Sequence, residues 1–247
     1  MNKIPIGVKG VDSILPGGFP QGKCILLSGS CGTGKTIFAA HFINEGFRNR
    51  EPGIFVSLEQ DKSKLFCDLK EINIEWKKME ETGKLRMLGG SIAAIQRLKE
   101  QRKAGFEDFA QEIRDVALEI GAKRVVIDSL NLFLSLFEFP EQRRALVELI
   151  YVLQETGCTV LLTCETREQD KGLSWYGFEE YVADGVVLLK RTADEHQGRD
   201  GPRRNKRALE VIKMRGSDFK EGNFPLRITN KGMEVFMTDP DREFFHS

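Results

Sequence analysis

The chain has 247 residues, 40% of them hydrophobic and 30% charged, which is enough to bury a large core. Its 37 Lys and Arg balance 37 Asp and Glu, so no global positive field draws it onto nucleic acid or an acidic membrane. No apolar run approaches the roughly 18 residues of a membrane span, and the opening "MNKIPIGVKG" lacks an apolar signal core. The five cysteines, Cys24, Cys31, Cys67, Cys158 and Cys164, form no C-x-x-C pair. Three lie in apolar strand-like runs and are expected to be buried and reduced. His41, His196 and His246 are scattered, so no zinc-type cluster is visible. The expectation is one cytoplasmic domain over residues 1–247.

In chain order, "KCILLSG" (23–29) reads as a short buried strand. A Gly-rich turn follows, then "KTIFAAHFINEGF", a helix expected to stop at Gly46. "GIFVSL" is the next strand, and Leu65, Leu69 and Ile72 recur at helical spacing after it. "KLRML" (84–88) is a short strand. Between 106 and 120, Phe106, Phe109, Ala110, Ile113, Val116, Ala117 and Ile120 mark one buried helix face. "RVVIDSL" is a strand with an acid near its end. Leu146, Leu149, Ile150 and Leu153 form another helix face, and "CTVLLTCE" is a further long strand. "YVADGVVLLK", "RALEVIKM", "FPLRIT" and "MEVFM" then follow with no helix long enough for a parallel crossover, so this half is expected to pair antiparallel at a sheet edge. Strands alternating with helices, then a run of strands, give an α/β fold with a mostly parallel sheet flanked by helices and antiparallel C-terminal strands. Residues 89–105 and 192–206 look loosely ordered.

"GSCGTGKT" fits G-x-x-x-x-G-K-[ST] over Gly29, Ser30, Cys31, Gly32, Thr33, Gly34, Lys35 and Thr36. Gly32 and Gly34 let the backbone turn consecutive N–H groups inward, and these donors plus the next helix N-terminus hold anionic phosphates. Lys35 is expected to reach the β- and γ-phosphate oxygens of ATP, and Thr36 to offer its hydroxyl to Mg²⁺. A buried strand before the turn and an amphipathic helix after it separate this match from a chance Gly-rich turn. Asp128 closes a buried strand, where a carboxylate is costly without a partner. Mg²⁺ is the natural partner beside a phosphate loop; a helix N-cap is the alternative, for which Ser129 serves as well. Cys31, inside the loop, is either a small tolerated side chain or a thiol activated by the helix N-terminus. Glu59, in "SLEQ" at the exit of "GIFVSLEQ", is either surface polarity or a group that acts on bound phosphates.

With these residues in place, the chain resembles the RecA-fold P-loop ATPases and, among them, the KaiC-like proteins. The likeness runs from "GVKGVDSILPGGFPQG" through "GSCGTGKTIFAAHFINEG", "EPGIFVSLEQ" and "RVVIDSL" to "TVLLTCET", "YGFEEYVADGVVLLKR" and "LEVIKMRGSDF". It implies a homo-oligomeric ring, usually a hexamer, with ATP between subunits. It assigns Glu59 the task of orienting or deprotonating the attacking water, and Lys213 and Arg215 the task of reaching into a neighbour's ATP site. Physically, such cations stabilise charge on the transferring phosphoryl group in trans; an exposed edge-strand pair is the alternative. Glu165 matches a glutamate that could sense the γ-phosphate and signal to "SWYGFEE", placing Trp175 and Tyr176 near a subunit contact; a loop with two packed aromatics is the alternative.

Two departures stand out. The family commonly carries two acids where this chain has Glu59-Gln60, and Gln60 can hold a water but not accept its proton, so slow hydrolysis is expected. Phe219 stands where a histidine often follows the finger motif. The family's clock protein carries two such domains in tandem, and its timekeeping is not implied for one. The leading expectation is a regulatory ATPase acting on an unidentified protein partner. Its rivals are a DNA-binding recombinase relative, suggested by Arg199, Arg203, Arg204, Lys206 and Arg207 against Asp200; an assembly module that binds ATP without hydrolysis; and an autokinase. No H-R-D or D-F-G of the usual kinase fold is present. The tail with Phe244-Phe245 is a disordered end or a docking peptide.

Overall fold

The structure is a computed structural model that describes residues 2–90, 107–139, 141–167, 172–193 and 205–238. In chain order its strands are β1 (Lys3–Ile4), β2 (Phe19–Pro20), β3 (Cys24–Gly29), β4 (Gly53–Ser57), β5 (Leu85–Gly89), β6 (Arg124–Asp128), β7 (Thr159–Glu165), β8 (Gly185–Ala193), β9 (Asn205–Met214), β10 (Phe224–Thr229) and β11 (Gly232–Val235). Its helices are α1 (Lys35–Arg48), α2 (Lys62–Lys70), α3 (Trp76–Glu81), α4 (Glu107–Ile120), α5 (Leu130–Leu134), α6 (Glu141–Glu155) and α7 (Glu179–Val182).

The large sheet runs β11-β10-β9-β8-β3-β7-β6-β4-β5. Neighbours from β8 to β5 are parallel, and β8-β9, β9-β10 and β10-β11 are antiparallel. The expected α/β class, with antiparallel C-terminal strands, is what the chain forms. One strand departs from expectation: "GVVLLK" joins β3 in parallel, with Leu26 opposite Val186. The segment between β7 and β8 is long enough to run back along the sheet without a long helix, because a crossover needs only about a dozen residues. Tyr181 and Val182 belong to α7 on that return path, not to a strand.

Side chains of the central strands alternate between two cores. Ile25, Leu27, Phe55, Val126, Leu161 and Val187 face α1, α2, α3, the N-terminal segment and the β10–β11 hairpin. Cys24, Leu26, Ile54, Val56, Val125, Ile127, Val160 and Leu162 face α4, α5, α6 and Ala183. The helical faces anticipated from spacing are the buried ones: Phe109, Ala110, Ile113 and Ala117 on α4, and Leu146, Leu149, Ile150 and Leu153 on α6. Phe106 lies outside the described residues. Strands β8 and β9 take in Thr192, Ala193, Asn205 and Lys206, both ends of the stretch expected to be loose. Most of that stretch, most of 89–105 and Phe244-Phe245 lie outside the described residues. Cys24, Cys158 and Cys164 are buried, as expected.

Gly46 does not end its helix; α1 continues to Arg48. The glycine makes room for Arg124, a fully buried side chain that pairs with Glu51 at 2.8 Å and donates to the carbonyls of Pro5 (2.7 Å) and Phe42 (2.9 Å). Its guanidinium also lies 4.8 Å from the Phe42 ring centroid. A Cβ on Gly46 would stand 2.6 Å from Arg124 Cδ. Alanine normally gains up to about 1 kcal/mol over glycine inside a helix. Here the clash with a pinned side chain outweighs that gain. Gly46→Ala is therefore expected to lower stability by about 1–3 kcal/mol, read as a fall in the urea midpoint with unchanged m-value.

Candidate nucleotide site

The strand register gathers the candidate residues at one edge. Gly29, the last residue of β3, stands opposite Glu165, the last of β7. Ser57, the last of β4, stands opposite Asp128, the last of β6. The Gly-rich loop leaves this edge and enters α1. Gly32 (φ 70°) and Gly34 (φ 105°) adopt the left-handed conformation that side chains disfavour. Lys35 folds back onto its own loop, donating to the carbonyls of Gly29 (2.8 Å) and Ser30 (3.2 Å), with Glu165 at 3.8 Å. Thr33 is buried and donates to the Ser30 carbonyl at 2.8 Å, while Cys31 is exposed.

Asp128 is buried with both carboxylate oxygens engaged by hydroxyls. Thr36 Oγ1 donates to one at 2.8 Å, and Thr163 Oγ1 to the other. Burial holds this carboxyl above the ordinary aspartate range; the hydrogen bonds from Thr163 and Thr36 pull the other way, Glu59 adds to the rise and Lys35 opposes it. Ser129 precedes α5 without capping it through its side chain; its hydroxyl donates to Glu59. The peptide bond joining Asp128 to Ser129 is cis. Two threonine hydroxyls and one carboxylate form an all-oxygen set, the donor chemistry a hard divalent cation takes.

Glu59 is exposed, and its tie to Ser129 sets it beside the end of β6. The turn that carries it is fixed by Leu58 N–H to Asp128 O (2.7 Å), Ser57 Oγ to Gln60 O (2.7 Å) and Gly90 N–H to Ser57 O (2.8 Å). Gln60 points elsewhere, donating to Asp68 on α2 at 2.7 Å. Lys213 and Arg215 are not brought to this edge. Lys213 pairs through Val186 with the level of Leu26, and Arg215 N–H bonds Asp184 O before β8 begins. Both therefore lie toward the amino ends of the parallel strands, away from their own loop. Among the described residues, β10 pairs with β9 at Arg207, Ala208 and Leu209, short of the stretch that carries Lys213.

Four residues at the edge escaped the sequence. Thr163 is visible only as a polar interruption in "TVLLTCE". Asn131 Oδ1 accepts the Glu165 N–H at 2.7 Å. Arg191 and Arg207 face each other across β8 and β9 and both donate to the Gly32 carbonyl at 3.2 Å. Arg207 and Lys206, which the sequence offers as DNA contacts, lie on β9; Arg199, Arg203, Arg204 and Asp200 lie outside the described residues.

Residues 4–240 match the KaiC ATPase family. The chain belongs to the KaiC family of ATPases. It is 32% identical to the circadian clock oscillator protein KaiC of Prochlorococcus marinus over 96% of its own length, but spans only 46% of that protein. A UPF0273 protein of Pyrococcus horikoshii is 34% identical, with 97% of this chain and 95% of that one aligned. Among solved structures, a KaiC-like protein from the same archaeon superposes with a TM-score of 0.80 at 32% identity, over 95% of this chain and 98% of that one. Membership carries nucleotide binding and ATPase chemistry in general to this fold. Among the described residues no helix is long and apolar enough to cross a membrane.

The burial of Asp128 sets a measurable trade. Its pKa in the folded chain is raised above the unfolded value, so ionisation destabilises the ligand-free fold as pH rises through the folded pKa. Asp128→Asn is expected to raise the thermal midpoint of the ligand-free protein at pH 7.5. That advantage should shrink as pH falls toward the unfolded aspartate value near 4, followed by calorimetry at both pH values.

Proposed function

We propose that the protein is a Mg²⁺-dependent ATPase that works slowly, as a ring of identical subunits with ATP bound between neighbours, six being the family's usual number. The observation that carries this is the separation of Lys213 and Arg215 from their own loop: a site that uses these cations is completed by a second copy. Within one chain, the loop N–H groups and Lys35 hold the β- and γ-phosphates, with Lys35 leaving the Gly29 and Ser30 carbonyls to do so. Thr36 and Asp128 would hold Mg²⁺, directly or through water. When bound, the ion supplies charge neutralisation on the phosphate oxygens.

Glu59 is assigned as the base that orients and deprotonates the attacking water, with Ser129 fixing its carboxylate. Glu165, near Lys35 and steadied through Asn131, is assigned to sense the γ-phosphate. Gln60 supports slow turnover, because its amide is engaged with Asp68 and offers no second carboxylate. Arg215 and Lys213 supply positive charge to the neighbour's transferring phosphoryl group. An assembly module that binds ATP without splitting it is the second reading, and the same Gln60 favours it. Phosphate release over time separates the two.

Glu59→Gln is expected to keep ATP affinity and lose roughly tenfold or more in turnover, the usual size of a general-base contribution being 10²–10⁴. Normal turnover would remove Glu59 from the mechanism. Light scattering on a size-exclusion column should show a multi-subunit species with Mg²⁺-ATP; a monomer at all concentrations would refute the ring.

A further inference from the structure

Glu179, the first residue of α7, is 1% exposed. Its carboxylate gathers neutral donors: Ser174 Oγ at 2.8 Å, the N–H groups of Tyr176 and Phe178 at 3.0 Å each, and the Cys164 thiol at 3.6 Å. Burial, and next the Glu179 carboxylate itself, push the Cys164 thiol well above its ordinary pKa, so it stays protonated, its hydrogen shared between Glu179 and the Glu165 carbonyl at 3.3 Å. Cys164 is the residue before Glu165, so α7 is tied to the end of β7. The same short helix presents its carbonyls outward to β9. Lys213 Nζ donates to Glu180 O at 2.7 Å, and the Arg215 guanidinium to Tyr181 O at 3.4 Å. Neither cation is held by a carboxylate in these contacts; backbone oxygens aim both.

We propose that Glu179 is a positioning residue: by locking α7 onto residues 174–178 and the end of β7, it sets the carbonyls that aim Lys213 and Arg215 at the neighbouring subunit. The proposal rests on the in-trans role assigned above to these two cations. Backbone carbonyls can orient a long flexible cation only if their own helix is fixed, and four residues cannot fix themselves. The Glu179 carboxylate does this by accepting from side-chain and backbone donors on the loop leading into α7. Glu179→Gln keeps the volume and one oxygen but turns an NH₂ toward backbone N–H donors, so the loop loosens without a cavity. Misplacing a charge-stabilising group by about 1 Å costs up to about 10²-fold in rate.

The test uses mixed subunits in ATP turnover. Lys35→Ala chains keep their finger cations but lack the loop lysine; Lys213→Ala chains keep the loop but lack a finger. Mixing them is expected to restore turnover, and no restoration overturns the in-trans reading itself. Glu179→Gln is then added to one chain at a time. On the Lys35→Ala chain, the finger donor, it is expected to lower the restored kcat roughly tenfold with KM for ATP unchanged. On the Lys213→Ala chain, which supplies the loop with Glu59, Asp128 and Glu165 but no complete finger, it should lower the restored kcat far less. Full restoration in both arrangements, or equal loss in both, overturns the positioning role while the in-trans reading stands. Ser174→Ala, which removes the hydroxyl that both the Glu179 and the Glu180 carboxylates meet, should give a smaller loss that is again larger on the finger donor; an equal loss in both arrangements also counts against the proposal.

Discussion

Everything at the candidate site depends on six strands running parallel and ending together. Parallel pairing from β8 to β5 aligns Gly29 with Glu165 and Ser57 with Asp128. No loop has to search for these groups, because the sheet delivers them side by side. The same pairing separates functions by direction. Whatever leaves the carboxyl ends shares one edge with the loop. Whatever precedes β8 or follows Met214 belongs to the opposite edge, where Lys213 and Arg215 sit. A mixed sheet thus sets the Gly-rich loop and the pair Lys213 and Arg215 toward opposite ends of the parallel strands.

Asp128 shows how the site is held ready at a cost to the fold. Two threonines, one from the loop helix and one from the next strand, satisfy its oxygens but do not neutralise its charge. A hydroxyl can be pulled away by a cation more cheaply than a lysine could be, so the pair Thr36–Thr163 leaves the acid available. Lys35 rests on carbonyls in the same spirit, on partners it can leave. Gln60 stands apart from both, since its amide is committed to α2.

The loop, its lysine, Thr36 and Asp128 were legible because their signals are local: a fixed spacing after a buried strand, and one acid ending another. Helix faces were legible because 3.6-residue spacing maps directly onto burial, as Ile113 and Leu149 show. The placement of β8 was not, because crossover length constrains pairing only loosely and the return path holds a four-residue helix. Gly46 reads as a helix stop in the sequence because a glycine that makes room for a distant arginine looks the same as one that ends a helix. Nothing distinguishes Glu179 from Glu180 in "FEEY"; only the fold buries one. Arg191 and Arg207 meet the loop through strand register, a long-range property that spacing does not carry.

The Arg124 contacts also bear on how the chain is assembled. They join Pro5, Phe42 and Glu51 to a strand that begins at residue 124, and β3 finds both of its neighbours only after residue 159. During synthesis the N-terminal segment and the loop helix therefore emerge long before the partners that bury them. Contacts of such sequence separation slow folding and leave apolar strands such as "CILL" exposed in the interval. Substitutions around Arg124 therefore bear on the yield of folded chain as well as on its final stability.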